Sequence, residues 1–499
     1  MHVHVISALM TTTTYPSAPG APSTEQRWSP RLWGLLTVVC LVLFLDGLDV
    51  SMVGVALPSI GADLGLSTSS LQWIVSGYVL GYGGLLLLGG RMADLLGRRR
   101  VFLIAVAVFA LASLLGGLVD NGALLIATRF IKGVSAAFTA PTGLSIITTT
   151  FPEGKARNKA LSIYTVFGAT GFSSGLVIGG LLTGIGWRWT YLSPVPIAIA
   201  ALIAGFALIP RDRPAATGGH DPLGAITLPT GMLLLVYTVV RAPEAGWTAP
   251  STIGQFGLAV AILAAFVMIE RRVAHPLVRL GILRRGSITR ANIGFIAMFG
   301  SYLSFQFIVT LYLQDVLGWT PLSMALALLP AGVLVALSAP FADRLIDRFG
   351  TPRLIATSMG VFVVGYLLFI DIDTSPAYAS AILPSVLLLG IGFALGFPSI
   401  NVQATSGVHD SEQGLASGLV WTSGQVGGAL VLAVTTAMVT SGAPEGLSAS
   451  GMLAQFRPGI VLVAFVALGG LALTLVPVLR RTASTDQVAE PAALEPAGY

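Results

Sequence analysis

Residues 91–100 read RMADLLGRRR, and residues 344–353 read RLIDRFGTPR. In one register Arg91 matches Arg344, Asp94 matches Asp347, Gly97 matches Gly350 and Arg100 matches Arg353. Each decad joins two long apolar runs. A second echo aligns ALSIYTVFGATGFSSG (160–175) with ASGLVWTSGQVGGALV (416–431). Recurrence of a polar hinge between paired apolar runs predicts two halves built on one pattern.

The apolar runs settle the class. Of 499 residues, 54% are hydrophobic and 10% charged, with mean hydropathy +0.84. A soluble globular chain carries roughly 25% charged residues. Runs of about 18 or more apolar residues recur, each long enough to cross a bilayer as a helix. Lipid tolerates no unpaired backbone, so the spans are helices or a closed barrel, and the lack of period-two alternation excludes the barrel. Hydropathy places fourteen spans, at 32–54, 70–90, 100–119, 123–148, 160–183, 190–209, 222–241, 253–270, 288–314, 321–342, 353–371, 378–402, 414–440 and 457–479.

Loop charge orients them. Arginines and lysines follow even-numbered spans (Arg91 and Arg98–Arg100, Lys155, Arg157 and Lys159, Arg211 and Arg213, Arg271 and Arg272, Arg480 and Arg481). The loops after odd-numbered spans are nearly bare of them. Basic loops stay cytoplasmic, so both termini are expected inside. Topology therefore accounts for the net charge of +5, and no nucleic-acid partner is expected. The single cysteine, Cys40, can form neither an internal disulfide nor a metal site. The expected organisation is a cytoplasmic tail (1–30), a six-helix half (31–210), a linker carrying two extra helices (211–287), a second six-helix half (288–480) and a second tail (481–499). The tails have the composition of disordered segments, and Met10 is an alternative start to Met1.

Repeated halves with a site between them are the plan of secondary transporters, which rock one half against the other. In GGRMADLLGRRR (89–100), Gly90 and Gly97 permit a tight turn, and Asp94 with Arg98 and Arg99 can latch neighbouring helices. Asp347, Arg348 and Arg353 repeat that latch in the second half. The first span carries two acids, Asp46 and Asp49, and the fourth carries two cations, Arg129 and Lys132. Intramembrane charges pair with one another and mark ion pathways. Counted from the span ends, Asp49 lies level with Arg129, and Asp46 with Lys132. Those two ion pairs are therefore expected. Gly168, Gly171, Gly175 and Gly179 form a stripe for close helix packing. Candidate cavity residues are Trp73, Tyr78, Tyr302, Phe305, Gln306, Asn401, Gln403, Trp421 and Gln425, aromatic and amide groups suited to amphipathic ligands.

The chain is identified as a member of the major facilitator superfamily by these motifs. GGRMADLLGRRR resembles its loop signature. LDVSMVGVALPSI (48–60) resembles the first-helix signature of its fourteen-span drug:proton antiporter branch. RFIKGVSAAFTAP (129–141) resembles the fourth-helix pattern, with Lys132 where the family has Gln. GWRWTYLSPVPIAI (186–199) and EQGLASGLVWTSGQVGGAL (412–430) are similar to actinobacterial members. The resemblance implies an all-α major facilitator fold and a monomer in the cytoplasmic membrane. It implies export of drugs or amphipathic natural products in exchange for protons, with the proton gradient rather than a cofactor as the energy source. Asp49 and Arg129 match the family's proton-coupling positions, and Asp46 is an addition. Where the antiporter signature has Gly-Pro, this chain has Gly175–Leu176, which keeps open proton-coupled or facilitated transport of another small molecule, a nutrient or lipid. There is no metalloprotease, phosphate-loop or Cys/His motif, so no enzyme and no metal site is expected. On this reading Asp49→Asn abolishes proton-driven efflux and leaves the fold intact.

Overall fold

The computed structural model describes residues 28–488, apart from 153–154, 212–220, 274–275, 277, 279, 409–412 and 441–447. Among the described residues, fourteen helices are long and apolar enough to cross a membrane. They are α1 (Pro30–Leu64), α2 (Thr68–Ala93), α3 (Arg98–Leu118), α4 (Gly122–Thr150), α5 (Lys159–Ile185), α6 (Trp189–Leu208), α7 (Leu223–Ala242), α8 (Pro250–Glu270), α9 (Gly286–Val316), α10 (Pro321–Phe349), α11 (Thr351–Leu368), α12 (Tyr378–Thr405), α13 (Leu415–Thr440) and α14 (Ala449–Leu475). No strand occurs among the described residues. The expected all-α membrane fold and its span count are what the structure has.

The repeat is visible in the packing. In the first half α1 packs on α5 and α6, α2 on α4, and α3 on α4 and α6. In the second, α9 packs on α13 and α14, α10 on α12, and α11 on α12 and α14. Adding eight to each helix number converts one set into the other. The hinge motif repeats too. Gly97 (φ 93°) separates α2 from α3, and Gly350 (φ 76°) separates α10 from α11. Both sit where an L side chain would be strained, which is why both decads carry glycine there. The halves meet through α2 on α13 and α5 on α10, and α7 touches both α2 and α13.

Within the first half, the α1–α5 and α2–α4 pairs pack at backbone distance. A Cβ on Gly171 would stand 2.3 Å from the Phe44 carbonyl oxygen, and one on Gly175 would stand 2.6 Å from that of Leu48. A Cβ on Gly179 would lie 2.7 Å from Met52 Cα. The glycine stripe of α5 is thus seated on the first helix, on the turns that carry Asp46 and Asp49. The α2–α4 pair is as tight. A Cβ at Gly81 would fall 2.4 Å from Phe130 O, at Gly89 2.1 Å from Ala137 O, and at Gly133 2.0 Å from Tyr78 O.

Two helices run further than hydropathy suggested. α1 continues ten residues past 54, through Pro58, and stops only where Gly65 takes a left-handed conformation (φ 61°) and Ser67 caps α2. The last helix is continuous to Val488, into the segment expected as a tail; the sequence offers no proline or glycine between Arg480 and Val488 to end it. Residues 1–27 and 489–499 lie outside the described residues. At the rim where α1 ends, Arg188 donates to Asp63 at 2.7 Å and also to Asp120, and Trp187 Nε1 donates to Asp63 at 2.9 Å. The hydrogen bond to Asp63 raises the Arg188 pKa above its ordinary value.

Because overpacking of a well-packed interior costs about 1–3 kcal/mol and more when backbone must move, Gly175→Leu is expected to leave little monodisperse protein in a size-exclusion assay of detergent extracts. Gly184→Leu, at a position with open space around it, should elute as the parent does.

Candidate functional site

Four ionisable residues meet inside the first half. Asp49 is fully buried, Lys132 fully buried, Arg129 2% exposed and Asp46 7% exposed. Asp49 lies between both cations: Arg129 Nη1 donates to its Oδ2, and Lys132 Nζ donates to its Oδ1. The expected Asp46–Lys132 pair is not formed. Asp46 Oδ2 instead accepts from Thr139 Oγ1 at 3.0 Å, and its Oδ1 has no hydrogen-bond partner. The level-by-level pairing misled because it took α1 to end at 54. With the helix running to Leu64, Asp49 is mid-helix, and both cations of α4 reach the same carboxylate from one helix face.

The cations have second contacts. Arg129 Nε donates to Ile74 O at 3.2 Å, and its guanidinium lies 4.6 Å from the centroid of the Tyr78 ring. Lys132 Nζ sits 4.7 Å from the Phe109 ring and 5.1 Å from that of Tyr191. Ring faces attract cations most where water is absent. The close α2–α4 crossing at Gly81 and Gly133 is what brings Tyr78 over Arg129. With every group ionised the cluster holds two positive and two negative charges. Removing one counter-charge from it leaves net charge in an apolar interior, where charge is costly.

Of the remaining candidates, Gln306 faces Gly54 of α1 across the seam. Gln425 lies against Gly83 of α2, its Oε1 buried without a partner. Tyr302, Trp421 and Phe305 belong to aromatic packing inside the second half. Tyr302 contacts Phe362 and Phe393, Trp421 contacts Phe295 and Phe397, and Phe305 contacts Tyr366 and Phe369. Asn401 Nδ2 donates to Phe397 O of its own helix, and Gln403 Nε2 to Ser287 O. Trp73 packs tilted against Tyr237 of α7, 5.7 Å between centroids. Of the nine, Gln306 and Gln425 contact a helix of the other half.

In the hinge loop, Arg99 Nη2 donates to Phe206 O of α6 at 2.6 Å, and Gly90 faces Pro141 of α4. The Asp94 side chain lies outside the described residues. Asp347, Arg348 and Arg353 are exposed, and Arg348 lies beside its neighbour Phe349, 5.4 Å from the ring centroid.

Thr139 and Gln314 were not foreseen. Thr139 follows Lys132 by seven residues and so shares its helix face, a spacing the sequence displayed. Gln314, in the irregular last turn of α9, donates to Val55 O at 2.9 Å and joins the halves. No sequence signal marked it.

Removing one partner from a buried ion pair costs about 3–5 kcal/mol, because the other charge stays behind. Asp49→Asn leaves two cations with no carboxylate in contact, so a loss of stability is expected in place of an intact fold. Thermal melting in detergent should show a large fall for Asp49→Asn and a smaller one for Asp49→Asn combined with Lys132→Gln. Equal melting of parent and Asp49→Asn would contradict the ion cluster.

A family model described as Major Facilitator Superfamily matches residues 39–432. The chain is 36% identical over 460 residues to the puromycin resistance protein of Streptomyces alboniger, covering 90% of each chain. It is 36% identical over 421 residues to the cephamycin export protein of Amycolatopsis lactamdurans, covering 83% of this chain and 87% of that one. Among solved structures, the POT family transporter PepTSo aligns with TM-score 0.67 at 16% identity, over 93% of this chain and 99% of that one. That likeness concerns the fold.

Proposed function

The chain belongs to the major facilitator superfamily, and on that premise we propose that it exports drugs or amphipathic natural products from the cytoplasm in exchange for protons. The membrane is the cytoplasmic one, the protein works as a monomer, and both termini lie inside, following the basic loops. The relatives' roles in resistance and export support the direction of transport. The buried cluster supports proton coupling.

The observation that carries the coupling is the unequal treatment of the two carboxylates. Asp49 is held by two cations, one on each carboxylate oxygen. Asp46 has one hydroxyl partner and an oxygen with none, so a proton relieves Asp46 first. Asp46 is therefore the carrier in this conformation, and Asp49 with Arg129 and Lys132 is the fixed charge that the carrier senses. Loss of the proton from Asp46 puts a second negative charge beside Asp49, one helical turn away. Realigning α4 so that Lys132 reaches Asp46 compensates it. That realignment is the differential interaction that ties the protonation state to the conformation.

The conformation itself is asymmetric. Gly180 abuts Leu322, Gly332 abuts Ser173, and Gln314 reaches Val55, so α5 and α10 are sealed at the rim where α1 ends. At the other end, Ala342–Phe349 packs on α11 and α12 of its own half and has no fully buried residue. We read this as the state open to the cytoplasm, ready to take a substrate between the halves near Gln306 and Gln425.

Reconstituted Asp46→Asn protein should lose uphill efflux driven by a proton gradient while keeping substrate exchange between equal concentrations on both sides. Proton-driven efflux by Asp46→Asn at the parent's rate would overturn the assignment. Loss of exchange as well as efflux would place Asp46 in binding rather than coupling.

A further inference from the structure

The inserted helix α7 leaves an apolar groove of about 320 Å³ against α2 and α4, lined by Leu80, Phe130, Leu233, Leu234 and Tyr237. The Tyr237 ring lines it and lies tilted against Trp73, with ring centroids 5.7 Å apart. Immediately above stands Arg241, one helical turn further on. Arg241 is exposed, and its Nη1 donates to the Tyr237 hydroxyl at 2.8 Å. Among the described residues no carboxylate pairs with it.

Depth fits a lipid. Beyond its apolar span α7 stays helical to Ala245, so Arg241 lies about 6 Å below the helix end at 1.5 Å per residue, in the headgroup zone. Leu233 and Leu234 lie about 17 Å below it, within the hydrocarbon. The α2 and α4 residues of the groove descend from the same rim, where those helices begin. A cation at headgroup depth over a wholly apolar slot matches a phosphate joined to an acyl chain. A second groove on the other side of α7, lined by Val236, Phe256, Val426 and Leu430 among others, has the apolar wall and no cation among its lining residues.

We propose that the α2–α4–α7 groove binds one anionic phospholipid of the leaflet at the α1-end rim, with its phosphate on Arg241 and Tyr237 and one acyl chain along Leu234 and Phe130. The proposal rests on the membrane-spanning reading alone and not on export. A lipid held there fastens α7 to the first half, so the seam that gives way when the halves rock is the α7–α13 contact.

The test is native mass spectrometry of the full chain released from nanodiscs of phosphatidylglycerol or phosphatidylcholine with identical acyl chains. One basic residue at an anionic surface accounts for about a fivefold preference. The parent should retain one phosphatidylglycerol about fivefold over phosphatidylcholine, and Arg241→Gln should lose the preference while eluting as a monodisperse protein. Leu234→Trp, which fills the groove, should lower retention of both lipids. Equal retention of the two lipids by the parent, or an unchanged preference in Arg241→Gln, would overturn the site. So would displacement of the lipid by a neutral detergent equally in parent and Arg241→Gln.

Discussion

Asp49 sits between Arg129 and Lys132 in an interior that cannot solvate any of them. The rest of the first half is arranged around that contact. Each isolated charge at this depth would cost several kcal/mol, so in this conformation α1 and α4 are held in one register. They are indexed by the reach of two side chains from α4 to one carboxylate on α1. The aromatic rings of Tyr78, Phe109 and Tyr191 complete the shell on the cation side. On the carboxylate side Asp46 is left with Thr139 alone. A cluster with every carboxylate oxygen paired would have no reason to respond to protons. One with a single under-partnered carboxylate does.

Glycine makes this contact geometrically possible. With a Cβ at Gly133 or Gly81, α2 could not approach α4 closely enough to lay Tyr78 over Arg129. The stripe at Gly171, Gly175 and Gly179 seats α5 on the turns of α1 that bear the acids. Membrane helices have no hydrophobic drive to associate, so close van der Waals packing through small residues takes its place. The electrostatic cluster and the glycine seams are two parts of one construction: the seams set backbone distances, and the charges set register. Arg99, anchored to Phe206 O, and the bridges of Arg188 to Asp63 and Asp120 fix the two ends of the same half.

Much of this was legible in the residues. Span length and loop charge gave fourteen helices because bilayer thickness and backbone satisfaction leave few alternatives. The decads at 91 and 344 revealed the two halves because glycine at a positive-φ hinge cannot be replaced without strain. The presence of acids on α1 and cations on α4 announced an ion cluster. Its wiring was not legible. Which carboxylate takes both cations depends on where α1 ends, and hydropathy saw the apolar stretch fade near 54 while Gly65 and Ser67 set the true boundary. The cavity residues were the least readable. An aromatic such as Phe305 or Tyr302 interrupts an apolar span in the same way whether it packs against its own half or faces the seam, and only tertiary neighbours separate the two cases. Gln314 belongs to an irregular turn that no periodicity describes.

The central claim is that Asp46, and not Asp49, carries the exchangeable proton in the cytoplasm-open state. Infrared difference spectroscopy of the purified protein, recorded as the pH is raised through neutrality, observes the carbonyl stretch of a protonated carboxyl group directly. The account predicts a band that disappears with rising pH in the parent and is absent in Asp46→Asn at every pH. It also predicts that the band persists when Asp49 is changed to Asn together with Lys132→Gln, which preserves the charge balance. A band that survives Asp46→Asn and vanishes with Asp49 would contradict it.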